Sequence, residues 1–290
     1  VVIVAGLWGG PGGGRRCRGG RVTAPTEIWT YRNLIWNLTQ RELRSRYKKS
    51  LLGWLWSLIN PAATLLIFSV VFGTFLRVEP PPLSDGSPGI FALFLFAGLL
   101  VWNFVNGTIT GSMTALQGSG PLLSKVYFPP ACPAIANMIT VLTQTLLEAI
   151  ILVVALVIFT GLGWQIVLFP VLLVFAMLFA LGIGLFVSIY NVYFRDVSYL
   201  VTILLQVLFY ATPIIYTINL VPERLFGLPA RTLISLNPLT QMVDFSRDIF
   251  YLQRVPSLGT VAGLAVTSLV TFAIGWWLFN RKAVNVTEEL

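Results

Sequence analysis

Glu148 is the charged residue whose chemistry is hardest to dismiss in this chain of 290 residues, because it stands alone between Lys125 and Arg195. Asn137, Thr140, Gln144 and Glu148 follow one another at spacings of three, four and four, so a helix would carry all four on one face. If that stretch crosses a bilayer, the carboxyl group needs water, a partner or a proton. Three readings stay open for this face: lining of a hydrated channel, a polar bond between helices, or a proton site. A second pair of acids, Asp244 and Asp248, stands four apart, where two carboxyl groups share a helix face and can divide acid and base work. Arg247 beside them offers the structural alternative of ion pairs along the helix. The chain has no His, which removes imidazole bases, His-held metals and catalytic triads together. Two Cys, at 17 and 132, make neither a metal cluster nor a disulfide framework. Lys125 follows Ser124 without the glycine of a phosphate loop, and no dinucleotide fingerprint occurs, so any nucleotide hydrolysis belongs to another chain.

The elements that must position these groups follow from composition. Hydrophobic residues make up 56% of the chain and charged ones 10%, against roughly 25% charged in soluble domains. That excludes a disordered tail, a nucleic-acid-binding domain and a soluble enzyme, and predicts an all-α, polytopic membrane protein. A transmembrane helix needs about 20 mainly apolar residues, so charge-free intervals serve as a ruler. They predict six spans, near residues 52–76, 89–110, 134–159, 167–190, 197–216 and 258–279. An even number puts both termini on one side. Of the 19 basic residues, only Arg77, Arg224, Arg231, Arg247 and Arg254 fall on the opposite face, so the termini are expected in the cytoplasm. The net charge of +8 is then mostly a topology signal, and no nucleic-acid partner is expected.

Three segments follow: residues 1–26 as a flexible N-terminal extension, 27–50 as an amphipathic helix at the membrane interface, and 51–290 as the transmembrane domain. In the second, Ile28, Tyr31, Ile35 and Leu38 recur at three and four with Trp29 and Trp36 beside them. Such a helix serves either as an anchor for span one or as a lateral element that admits a lipid-linked substrate or meets a cytoplasmic partner. Within span one, Ser57, Asn60 and Thr64 share a face with Trp54, and Pro61 removes a backbone bond. This suits a moving wall as well as tight helix packing. Span five adds Gln206 and Tyr210 on a semi-polar face with Thr202 and Pro213. Residues 219–255 form a long external connection whose half-apolar stretches predict short re-entrant helices before the last span.

Arg41-Glu42-Leu43-Arg44-Ser45-Arg46-Tyr47-Lys48-Lys49-Ser50-Leu51-Leu52-Gly53-Trp54-Leu55-Trp56-Ser57-Leu58-Ile59-Asn60-Pro61 closely resembles the approach to the first span in ABC-2-type permeases that export lipid-linked polysaccharides. The resemblance continues at Tyr193-Phe194-Arg195-Asp196-Val197, and at Asn237-Pro238-Leu239 through Asp244, Arg247 and Tyr251. It implies a homodimer in the cytoplasmic (inner) membrane, working with two copies of a separate subunit that binds ATP and Mg, with no cofactor on this chain. The implied substrate is a polyprenyl-diphosphate-linked glycan of the O-antigen, teichoic acid or galactan kind, moved among membrane lipids. On that plan Arg46, Tyr47, Lys48, Lys125, Arg195 and Asp196 face the ATPase, with a topological role as the alternative for Arg195 and Asp196. Asn237, Asp244, Arg247 and Asp248 stand at the outer exit. The polar faces of spans one, three and five suit a sliding sugar polymer, which needs weak hydrogen-bonding groups and aromatic platforms more than strong binding charges. A lipid or drug permease of the same plan is the runner-up, and an ion-coupled transporter rests only on Glu148.

Overall fold

The computed structural model describes residues 25–47, 55–75, 77, 80–83, 86, 88–123, 125–126, 128–224, 227 and 229–283, among which every regular element is helical. The expected extension up to residue 24 lies outside them. In chain order the helices are α1 (Pro25–Thr30), α2 (Arg32–Tyr47), α3 (Trp56–Phe68), α4 (Phe91–Gly118), α5 (Gly120–Leu123), α6 (Cys132–Phe159), α7 (Phe169–Tyr193), α8 (Val197–Ala211), α9 (Ala230–Leu236), α10 (Pro238–Phe250) and α11 (Leu258–Ala283). A π-helical stretch, Ser69–Phe75, extends α3, and a 3-10 turn, Trp164–Leu168, leads into α7.

Five of these, α3 with its extension, α4, α6, α7 with its leading turn, and α11, are long and apolar enough to cross a bilayer. The fifth expected span is the exception: α8 has only 15 residues, about 22 Å at 1.5 Å per residue. Pro213 ends it, since the residue before a proline avoids the helical region, and Thr212 is extended at φ −90°, ψ 131°.

α4 is the hub. Of its most apolar 18 residues, 78% are buried inside the protein, which a helix apolar over most of its circumference permits. α6 and α7 pack along it, α11 packs on the far side of α7, and α10 covers one end. α7 and α11 approach so closely at Gly182 and Gly275 that a Cβ on Gly275 would strike the Gly182 carbonyl, the small-residue contact that helices use in lipid. α3 contrasts with α4, because only 6% of its window is buried and Leu66, Ile67 and Phe75 face outward.

Long-range bonds define two ends of the bundle. At one, Gln117 Nε2 donates to the Asn191 carbonyl (3.2 Å), Tyr193 Oη to that of Lys282 (3.3 Å) and Thr39 Oγ1 to that of Ala136 (3.3 Å). α1 and α2 lie here, one expected helix broken at Tyr31, with Ile35 buried in a cluster with the ends of α4, α6 and α7, and Ile28, Tyr31 and Leu38 packed against that cluster, while Trp29 and Trp36 point away. At the other end, Gln253 Nε2 donates to the Gly161 carbonyl (2.9 Å) and Tyr251 Oη to that of Pro81 (2.6 Å).

Candidate functional site

Three helices meet around a cavity of about 250 Å³ lined by Asn60, Pro61 and Thr64 of α3, Phe96, Leu99 and Asn103 of α4, and Gln144 and Glu148 of α6. At about 30 Å³ per water in the liquid, this is room for roughly eight waters. Glu148, 2% exposed, accepts hydrogen bonds from Gln144 Nε2 at 3.2 Å and Asn103 Nδ2 at 3.5 Å. No Lys or Arg is among the lining residues. The carboxyl group therefore meets amide dipoles and space for water, an environment that exchanges hydrogen bonds readily and binds no one group strongly. Gln144 reaches Glu148 because four residues make about one helical turn. Asn103 was not singled out from the sequence, although an amide beside Trp102 at the end of a long apolar run was the available signal.

The expected stripe along α6 divides between environments. Asn137 donates to the Thr108 carbonyl at 3.3 Å, lying against Gly111, where a Cβ would leave it no room. With Arg41, Thr114 and Ser119 it lines a separate pocket of about 260 Å³ beneath α2. Thr140 is fully buried and donates to the Ala136 carbonyl (3.0 Å), outside both cavities. Ser57 is buried on α3, Gln206 and Tyr210 are exposed on α8, and none of the three lines the Glu148 cavity. Trp54 and Lys48 lie outside the described residues, and Arg46 and Tyr47 form the last turn of α2.

At the α2 end, Phe194, Arg195 and Asp196 make an exposed turn between α7 and α8. Its base is fixed: Asn191 Oδ1 accepts from the Ser198 N–H (3.1 Å), capping α8 from the preceding helix, and Gln117 ties the same residue to α4. Lys125 is exposed just beyond α5.

At the opposite end, Asn237 caps α10 by accepting from the Leu239 N–H (3.0 Å), with Pro238 at the first helical position, and its Nδ2 donates to Thr212 Oγ1 (3.4 Å). Arg247, 4% exposed, donates from Nη1 to the Pro213 carbonyl (2.6 Å), from Nη2 to that of Ile214 and from Nε to that of Phe94 (3.4 Å). It also lies 3.7 Å over the Phe94 ring. Burial lowers its pKa to about 10, which leaves it cationic at neutral pH. Asp244 is only 3.9 Å from its Nη1 and half-exposed, while Asp248 is bound to Arg254 at 2.7 Å. Partial burial raises the pKa of both carboxyl groups above the usual carboxylate value, and their arginines oppose it. Arg247 thus clamps the bend after α8 to α10 and α4, and the two acids are met by different arginines.

Residues 33–251 match the family described as ABC-2 type transporter. The chain is 30% identical over 266 residues to the O-antigen export system permease protein RfbA of Myxococcus xanthus, covering 91% of this chain and 98% of that relative. It is 26% identical over 261 residues to the protein of the same name in Klebsiella pneumoniae, covering 89% and 95%. It is also 26% identical over 254 residues to the polysialic acid transport protein KpsM of Escherichia coli, covering 83% and 90%.

Proposed function

This chain belongs to the ABC-2 type transporter family, and we propose that it is the membrane subunit of an exporter that moves lipid-linked polysaccharide outward, driven by ATP hydrolysis on a separate subunit. The observation that carries the reading is the Glu148 cavity: a partly polar space with room for several waters within an apolar bundle, one wall of which is a helix that the chain itself barely holds. A mobile wall and exchangeable hydrogen bonds suit a polymer that must slide and never stick. The glycan cargo is supported by the relatives, which carry O-antigen and polysialic acid in their names. Whether the linked lipid is a polyprenyl diphosphate, and whether the glycan is of the O-antigen, teichoic acid or galactan kind, is part of the proposal.

Two copies of the chain, pairing through the outward face of α3, complete the pathway, with Ser57, Asn60, Thr64, Gln144 and Glu148 along it and Gln206 and Tyr210 of α8 on the same route. Two ATP-binding subunits, holding ATP and Mg, press on the α2 end at Lys125 and at the Arg195–Asp196 turn. α8 with the bend that follows it serves as the fifth of six spans in the cytoplasmic membrane. Both termini are cytoplasmic, and α1 and α2 lie in the inner interface with Trp29 and Trp36 turned to lipid. Asn237, Asp244, Arg247 and Asp248 then stand at the outer face. Proteoliposomes holding the chain and its ATPase test the reading by ATP-dependent movement of a glycan lipid. Uphill movement by the chain alone refutes it, as does ATP hydrolysis indifferent to glycan lipids; hydrolysis stimulated by other lipids or drugs supports the runner-up.

A further inference from the structure

At the end of the bundle capped by α10, a cavity of about 1000 Å³ opens between α10, the start of α11, and residues 81–82 and 217–219. Two arginines and two aspartates line it, so its formal charges cancel, but they are unequally occupied. Arg247 gives its N–H groups to backbone carbonyls. Arg254 holds Asp248 through Nε and Nη2, both at 2.7 Å, and its remaining N–H groups stay free on a side chain that is 65% exposed. Asp244 is 46% exposed and, at 3.9 Å from Arg247, too far for a hydrogen bond from it. Ser257 and Thr260, also in the wall, share one hydroxyl hydrogen at 2.9 Å, which leaves the other to donate. The open positions are therefore one anion and a group of donors around one cation.

The rim of this polar interior is apolar. Val255 in the wall is exposed, and the exposed leucines Leu220, Leu236 and Leu258 each directly follow a lining residue in the chain. Large apolar side chains left bare at the end of helices long enough to cross a bilayer meet acyl chains. A fitting ligand brings a cation for Asp244, an anion for Arg254, no net charge and an apolar tail. That describes a zwitterionic phospholipid, and one with a primary amine, because a trimethylated ammonium has no N–H to give a carboxylate. An anionic lipid or a diphosphate would set its charge against the two aspartates and leave Asp244 without a cation. A metal ion would leave Arg254 free, and no group of three or more His, Cys, Asp or Glu placed to hold one occurs among the described residues.

We propose that this cavity binds the headgroup of an ethanolamine phospholipid of the surrounding bilayer, with its ammonium on Asp244, its phosphate on Arg254 and the free hydroxyl, and its chains along the exposed leucines. The site needs only that this end of the bundle meets a membrane surface, whatever the cargo.

The test uses the full chain with its ATP-binding partner in detergent, titrated with phosphatidylethanolamine, phosphatidylcholine and phosphatidylglycerol of one acyl composition, with bound lipid counted by native mass spectrometry. Phosphatidylethanolamine is expected to bind saturably and about tenfold more tightly than either of the others, roughly 1.4 kcal/mol. Asp244→Asn is expected to bring it down to the level of phosphatidylcholine while leaving phosphatidylcholine binding as it was, which also shows the variant to be folded. Arg254→Gln is expected to weaken both lipids alike. Glycerophosphoethanolamine, the headgroup without chains, is expected to compete only at concentrations about a hundredfold higher. Equal binding of the three lipids by the wild type overturns the proposal whether or not a variant folds, as does preference for phosphatidylglycerol. An ethanolamine preference that survives Asp244→Asn overturns it too. Competition by the chainless headgroup at equal concentration overturns the lipid assignment in favour of a soluble zwitterion.

Discussion

Replacing Arg247 by Met keeps much of the side-chain stem and removes the donors that hold the bend after α8. Two of its bonds, to the Pro213 and Ile214 carbonyls, are short and buried, and the third, to Phe94, is longer. Hydrogen bonds to charged groups are worth about 1.5–3 kcal/mol each, and the loss of the buried charge itself offsets part of the sum. We expect Arg247→Met to destabilise the protein by about 3–5 kcal/mol, because it leaves the Pro213 and Ile214 carbonyls, and more weakly that of Phe94, without a donor at about 1–3 kcal/mol each. At about 2–4 °C per kcal/mol in chains of 150–250 residues, that lowers Tm by at least about 6 °C. Asp244→Asn should cost under about 1 kcal/mol, since that carboxylate is half-exposed and 3.9 Å from the guanidinium. The thiol of Cys132, fully buried, reports unfolding by its reaction with a thiol-sensitive dye in a Cys17→Ser background. Equal losses in Arg247→Met and Asp244→Asn would refute the reasoning, because the carbonyls would then not be what Arg247 holds.

Glu148→Ala should slow glycan export in proteoliposomes, and Glu148→Gln, which keeps a polar group of the same length, should slow it less; wild-type rates in both would take the Glu148 cavity out of the pathway. Asp196→Lys should leave assembly intact and uncouple ATP hydrolysis from export, which parallel phosphate-release and flux assays resolve; a variant that never reaches the membrane would mark the residue as a topology determinant. Gly275→Val should cost about 1–3 kcal/mol or more from overpacking against Gly182, while Gly118→Ala, with open space at the added Cβ, should be nearly neutral in the same melt. Asp244, with its pKa raised by burial, keeps a proton in the folded protein over a window above its ordinary value where the unfolded chain has released it. Its stabilising contribution is thus full at low pH and lost as pH rises through the folded value, so Asp244→Asn should flatten the dependence of Tm on pH; an unchanged slope would contradict this.

The charge-free ruler located α6, α7 and α11 closely, because a bilayer penalises charge wherever the helix is placed. It fell short at α4, which runs to Gly118 rather than 110: leaving the hydrocarbon does not end a helix, and nothing before Ser119 breaks this one. It overran α8 because apolarity continues to Tyr216 while Pro213 has already turned the backbone. The Gln144–Glu148 contact was readable from local spacing, but Asn103 lies 45 residues from Glu148, and no local pattern states which face of the hub meets α6. Asn137 and Glu148 share a face but not a neighbourhood, since a helix of 28 residues, about 42 Å long, passes through more than one environment. For Arg247 the sequence offered Asp244 three residues away, whereas the shortest bonds go to carbonyls 33 and 34 residues distant.

A fifteen-residue apolar helix covers about 22 Å where bilayer hydrocarbon is about 30 Å thick. The shortfall falls at the bend where Pro213 and Ile214 expose carbonyls that lipid could not satisfy and Arg247 does. As the fifth of the six proposed spans, this helix would draw the lipid beside it inward. On that reading the barrier that the bilayer sets against polar cargo is shallowest next to α8, and acyl-chain length becomes a control on how tightly the resting protein seals.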